Sequence, residues 1–439
     1  MLPLHQNSDA DVQRALEWFV SLLPEGEWES RRNAQLTRLR QSTLAPPTPE
    51  GLPQRVFHDD DVIGWYLTLA HAFVSNIQDY EPAQGSRIVP LFKVIGADLD
   101  MLRSIEGAEE RAIRMLANDR ARPDGPLFEL ITALAYRRDG CGQVRFIPEI
   151  RGGARSPDIE VVSPSGQWAV ECKRIHASEY TKAERNEFWR LWHNARPLIH
   201  SQLVSLFFDL DFRKQVSEVP DNYLLDLARD VTRTGTDVLV DDEFSHGRVS
   251  WTNLRPLQEV LEHDVVLNVS QRFFELLTGS YNPYASYTGI YRSRPWEMNN
   301  RYIDDIDIAS LARWKCSAPE AIQAKARYFL RQISSANEQL ENYGRGIIHI
   351  GTEVLEGTDV EVARRPRTLQ MVRGFNSEAT DLHWLYIHYF SPESPPDEAW
   401  AFQETVDWFA MKPVPDSAPR TNPQVVVPPN AQAAPHPWE

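Results

Sequence analysis

Ser156–Ile175 reads SPDIEVVSPSGQWAVECKRI, two short apolar runs joined by Pro164-Ser165-Gly166, with Asp158, Glu171 and Lys173 set among them. Apolar-polar alternation around a Pro-Ser-Gly turn predicts a β-hairpin. On a strand, side chains alternate faces, so Glu171 and Lys173 share one face while Trp168, Val170 and Cys172 share the other. The pair sits about 6.6 Å apart along the strand, from a rise of about 3.3 Å per residue. In the partner run Asp158 and Glu160 share a face, so Asp158 and Glu171 are able to converge. Charges on a buried strand are costly unless paired, hydrogen-bonded or bound to metal, and converging carboxylates suit Mg²⁺. A neighbouring lysine would position or help deprotonate a water and offset phosphate charge. That is a coherent site for phosphodiester hydrolysis.

Immediately upstream, RPDGPLFELITALAYRRDG predicts a helix, with Pro126 in its first turn, Gly140 at its stop and Leu127, Leu130, Ile131 and Leu134 as a stripe. QVRFIPEI reads as a further strand before the hairpin. The combination of SPD, ECK and a preceding helix that carries Glu129 resembles the PD-(D/E)xK nuclease superfamily, the restriction-endonuclease-like fold. The resemblance implies that Asp158, Glu171 and Glu129 ligate Mg²⁺ (or Mn²⁺), with the Cys172 carbonyl as a further ligand and Lys173 as the catalytic lysine. Gln339–Tyr343, QLENY, matches the QxxxY motif of the exonuclease branch and implies substrate-positioning roles for Gln339 and Tyr343. The spacing departs from the family: 168 positions separate Glu171 from Gln339, which an insertion would explain.

The expected fold is therefore α/β: a restriction-endonuclease-like core of mixed central sheet flanked by helices, over 119–176 and 319–411. Residues 1–118 read as a helical N-terminal region. Ser8 with Asp11 resembles a capping box, and the acids of HDDDVIGWYLTLAHAFVSNI suit a helix start better than a metal site. Residues 177–318 read as an inserted α+β module, in the order βαββα after an aromatic-rich helix. Within it, GSYNPYASYTGIYRSRPW reads as an irregular Tyr-rich segment whose rings cover a core or stack bases, and DDIDIASL reads as a charged helix start. SAPEAIQAKARYFLRQISSANEQLENYG predicts one long helix, followed by the strands RGIIHIGTEV and TDLHWLYIHYF. His383 and His388 fall on opposite faces of the last strand, against joint metal binding, and His349 reads as structural. Residues 412–439, Pro-rich without period, read as a disordered tail.

At 439 residues and 42% hydrophobic, the chain suffices for two or three domains. No run approaches 18 apolar residues, so no transmembrane helix is expected. The start MLPLHQNSDADVQRALEWF lacks a basic region before an apolar core, so a secretory leader is not expected. Cys141, Cys172 and Cys316 are too few and scattered for disulfides or a zinc knuckle, and a reducing cytoplasm fits. There is no P-loop and no GxSxG. The net charge of −16 argues against non-specific coating of nucleic acid. Residues 120–190 run against that trend, with 12 Lys/Arg to 10 Asp/Glu.

The expected activity is Mg²⁺-dependent hydrolysis of DNA, in restriction or anti-phage defence by analogy. A homodimer would supply two sites for cutting both strands, and the insertion would take a protein partner or an activating ligand. A second reading keeps the fold as a catalytically silent binding or scaffolding module that acts through protein partners.

Overall fold

The computed structural model describes residues 9–44, 54–148, 156–175, 179–326, 330–354, 357–375, 380–413 and 416–427. It is a mixed α/β protein with two mixed sheets flanked by helices. Among the described residues no helix is long and apolar enough to cross a membrane.

Among the described residues six α-helices come first: α1 (Ala10–Ser21), α2 (Glu27–Leu44), α3 (Val62–Ser75), α4 (Pro82–Ala97), α5 (Leu99–Arg103) and α6 (Ala108–Ala117). The acids before α3 cap it, as expected: the Asp61 carboxylate accepts from the Gly64 N–H and pairs with Arg31 and Arg120. Ser8 lies outside the described residues, and the residue that caps α1 is Asp9. α7 (Asp124–Arg138) is buried all round from Pro126 to Tyr136 rather than along one stripe. The reason is position: it packs on both the sheet and the other helices, within one apolar cluster.

The first sheet has the order β1 (Gln143–Phe146), β2 (Ile159–Ser163), β3 (Gly166–Ile175), β10 (Arg345–Glu353), β11 (Asp381–Glu393), β12 (Ala401–Ala410). The hairpin pairs antiparallel, with Ile159 opposite Val170 and Gly166 at φ +123° in its turn. β3 and β10 then run parallel, as do β10 and β11. α7 packs the face that holds Trp168, Val170 and Cys172. On the other face α13 (Leu330–Gln339) sits beside Ala169 and Ile175.

Between β3 and α13 the chain builds the second sheet. It contains α8 (Glu179–Gln202), β4 (Leu206–Phe212), α9 (Tyr223–Thr234), β5 (Val238–Asp241), β6 (Ser245–Trp251) and α10 (Arg255–Leu261). β7 (Val266–Leu267), α11 (Gln271–Thr278) and the long hairpin β8 (Ser286–Trp296)–β9 (Asn299–Cys316) complete it. Two expectations change here. DDIDIASL lies inside β9 rather than at a helix start, because Ile303, Ile306 and Ile308 pack on the sheet while Asp304 and Asp307 pair with Arg294 and Arg292 across the hairpin. The Tyr-rich segment is regular from Ser286 onward, where it becomes β8.

In the stretch expected as one long helix, the described residues form α12 (Pro319–Ala326) and α13; residues 327–329 between them lie outside the described residues. α14 (Thr358–Gly374) joins β10 to β11. The tail also departs from expectation. Val425 and Val426 are buried, and the Glu404 carboxylate of β12 accepts hydrogen bonds from the Val425, Val426 and Val427 N–H groups. Arg420 pairs with Asp139. Residues 428–439 lie outside the described residues.

Candidate active site

The cluster forms where β2 ends beside β3. Asp158 immediately precedes β2, and its N–H donates to the Val170 carbonyl at 3.1 Å. Its Oδ2 accepts from the Cys172 N–H at 2.8 Å, which fixes the carboxylate against β3. N–H and C=O of one strand residue point to the same side, so the Cys172 carbonyl also faces the Asp158 edge. The Cys172 thiol points instead into the α7 packing, where burial pushes it well up and away from nucleophilic use.

Glu171 is fully buried, because α13 covers its face of β3. Its Oε1 pairs with the Lys173 ammonium and accepts from Gln339 Nε2. Lys173 Nζ also donates to Gln339 Oε1 at 3.0 Å, so one amide holds both charged groups. Gln339 is the last residue of α13, which explains how a position so distant in sequence reaches β3. Tyr343 is not brought in. It lies four residues beyond the helix end, in a turn, and is 43% exposed.

Glu129 is buried on α7, and its carboxylate pairs with Arg111 from α6. Arg111 Nη2 also stands 3.7 Å from Asp158 Oδ1. Glu129, Asp158 and Glu171 are near enough to act on one another electrostatically. Burial raises the Asp158 carboxyl above its ordinary range, against the Cys172 N–H and the Arg111 charge. Glu171 is raised well above it, first by burial and then by the Asp158 charge. Burial acts to lower Lys173, but Glu171 outweighs it and the ammonium is held charged. Glu160, on the expected face, stays outside and pairs with Arg145 and Gln167 on the half-exposed strand.

The residues fit a hard divalent cation. The donors are carboxylate oxygens, and the buried Glu171 Oε2 has no hydrogen-bond partner among the described residues. Among those residues no three His, Cys, Asp or Glu side chains stand ready as a complete ligand set. Arg111 and Lys173 are interleaved with the acids instead. Asp158, Glu171 and the Cys172 carbonyl are the groups that would hold Mg²⁺.

Sequence reasoning missed Arg111, whose helix signature EERAIRM carries no catalytic pattern. It also missed a buried chain beside the site. Tyr136 Oη meets His349 Nε2 at 2.8 Å, His349 Nδ1 meets His388 Nε2 at 2.9 Å, and His388 Nδ1 meets Glu404 at 2.8 Å. His383 meets the Trp168 ring on the α7 side of the sheet, and His388 pairs with His349 across β10 and β11. Comparisons with family models, with curated proteins and with solved structures found no match.

Proposed function

We propose that this chain is a Mg²⁺-dependent nuclease with a restriction-endonuclease-like core, hydrolysing phosphodiester bonds of DNA. The observation that carries the proposal is the joint grip of Gln339 on Glu171 and Lys173, beside an Asp158 fixed by the Cys172 N–H. Sheet order supports it too, since the hairpin sets Asp158 beside β3, while Glu171 and Lys173 of β3 meet Gln339 of α13 on one face of the sheet.

When bound, Mg²⁺ would supply Lewis acidity and a lowered water pKa. The chain's own groups do the rest. Glu171 and Asp158 present their carboxylates from adjacent strands, held by backbone and amide rather than free to rotate. Lys173 keeps a positive charge where a phosphate oxygen would develop negative charge. Gln339 fixes the lysine rotamer, and α13 excludes water from the Glu171 side.

One observation favours the silent-scaffold reading: the Arg111 guanidinium already neutralises Glu129 and approaches Asp158. Cleavage of plasmid, linear duplex, single-stranded DNA and RNA in Mg²⁺, Mn²⁺ or EDTA separates the two. Metal-dependent cutting that is lost in folded Glu171→Ala and Lys173→Ala supports the nuclease. Folded wild type that cuts none of the substrates and takes up no Mg²⁺ by calorimetry supports the scaffold. A role in restriction or anti-phage defence rests on analogy.

A further inference from the structure

A cleft of about 880 Å³ opens between the N-terminal helices, the ends of β3 and β10, and the Tyr-rich stretch that leads into β8. That volume lies within the range of about 300–1,000 Å³ typical of small-molecule sites. Glu129, Asp158, Glu171 and Lys173 do not line it. Its floor includes Ile175, two residues beyond Lys173 on the same strand face, so it begins about 6.6 Å along β3 from the lysine.

The lining runs against the charge of the chain. Seven Arg and Lys side chains face it against four Asp and Glu, in a protein of net charge −16. Most of these cations are committed elsewhere: Arg87 grips Glu353 at 2.8 Å and Lys325 pairs with Glu184 at 2.6 Å. Arg122 and Arg185 differ. They come from separate segments, the loop before α7 and the first turns of α8. Both are exposed, and neither has an ion pair among the described residues. Two unpaired guanidinium groups that face one cleft suit an anion with several oxygens, such as a phosphate.

The aromatic wall supplies the second half of the argument. Tyr281 and Tyr287 stack on each other, centroids 5.4 Å apart, and pack against the apolar cluster beneath, so they are accounted for as core cover. Tyr284 lines the same cleft half-buried; it too packs against an apolar cluster, that of Ile175 and Ile350, but its ring joins no ring pair among the described residues. Planar π-systems stack on such a ring whatever their hydrogen-bonding edge.

We propose that this cleft is a nucleotide site, with the base against Tyr284 and the phosphates between Arg122 and Arg185, distinct from the carboxylate cluster. The ligand chemistry is a base joined to phosphate, whether as a free nucleotide or as the end of a strand.

The test is equilibrium binding in EDTA, followed by fluorescence, with etheno-ATP, etheno-adenosine and a 5′-phosphorylated ten-nucleotide thymidine strand. Etheno-ATP is expected to bind at least tenfold tighter than etheno-adenosine. The double variant Arg122→Ala/Arg185→Ala should erase that difference. Tyr284→Ala should weaken etheno-ATP about tenfold, and Tyr284→Phe should restore it. Displacement of etheno-ATP by unlabelled ATP more readily than by the ten-mer would assign a free nucleotide, and the reverse a strand end. Both arginines are exposed, so loss of folding does not confound the double variant. Failure of both phosphate-bearing probes to bind wild type, or equal binding by the double variant, would overturn the proposal. No cleavage step enters the assay, so its failure is distinguishable from failure of the nuclease reading.

Discussion

Gln339 holds two charged groups with one amide: its oxygen accepts a hydrogen bond from the Lys173 ammonium and its nitrogen donates to Glu171. Alanine there frees the lysine rotamer without removing a charge. In the proposed nuclease, Gln339→Ala is expected to lower kcat about tenfold, whereas Lys173→Ala lowers it about 100-fold or more. Steady-state cleavage rates on a folded-checked pair would measure both, and equal losses would remove the positioning role. Arg111 allows a test that needs no turnover. Its removal leaves the buried Glu129 without that counter-ion, for which about 3–5 kcal/mol of destabilisation is expected. A divalent cation held by Asp158 and Glu171, beside Glu129, would offset part of that loss. Thermal melts of Arg111→Ala should therefore rise with added Mg²⁺ more than those of wild type. Parallel curves for the two proteins would argue against a cation at this place.

Among the elements, the tail and the β8–β9 hairpin do the joining. Residues 420–427 close over β12 and the end of α7 through Arg420, Val425 and Val426. Two valines at full burial contribute about 1.5–3 kcal/mol each. Truncation after residue 413 also strips three N–H donors from the buried Glu404 carboxylate. Such a truncation is expected to lower unfolding free energy by at least about 3 kcal/mol, read in a urea titration; an unchanged midpoint would mean the contacts contribute nothing. On the opposite flank, the buried Arg301 of β9 donates to the Gln78 carbonyl at 2.9 Å and the Tyr80 carbonyl at 2.9 Å. That contact ties the second sheet to the N-terminal helices.

Across the molecule, the Tyr136–His349–His388–Glu404 chain links α7, β10, β11 and β12, and Glu404 passes it to the tail. Burial, followed by the His388 charge, holds His349 well below the ordinary imidazole value. His388 is also lowered, by burial against the pull of Glu404. The Arg420 charge opposes the protonation of both rings. The unfolded chain takes up protons at these histidines near pH 6.5 while the folded chain resists them. Stability is thus fully present above about pH 6.5 and falls as pH drops below it, by up to about 1.4 kcal/mol per pH unit for each histidine. Melts of wild type between pH 7 and pH 5 should fall more steeply than those of His349→Gln, and identical slopes would exclude the chain as the origin.

Much of the site was legible in SPDIEVVSPSGQWAVECKRI because strand alternation and a short turn are local geometry. They place Asp158 near Glu171 and set Lys173 on the Glu171 face before any packing is known. Helix α7 was legible from Pro126, its apolar repeat and Gly140. Tertiary structure decided what lies far apart in sequence. α13 covers the Glu171 face and delivers Gln339, while Tyr343 falls past the helix end and stays outside. Arg111 joins the acids only because α6 packs beside α7. The strand at DDIDIASL and the docked tail were hidden for the same reason. Asp304 and Asp307 read as a helix start until Arg294 and Arg292 meet them across the hairpin, and the tail's N–H groups find their acceptor only in the distant Glu404 carboxylate. Local sequence sets which face a side chain takes, but only packing sets which distant group meets it there.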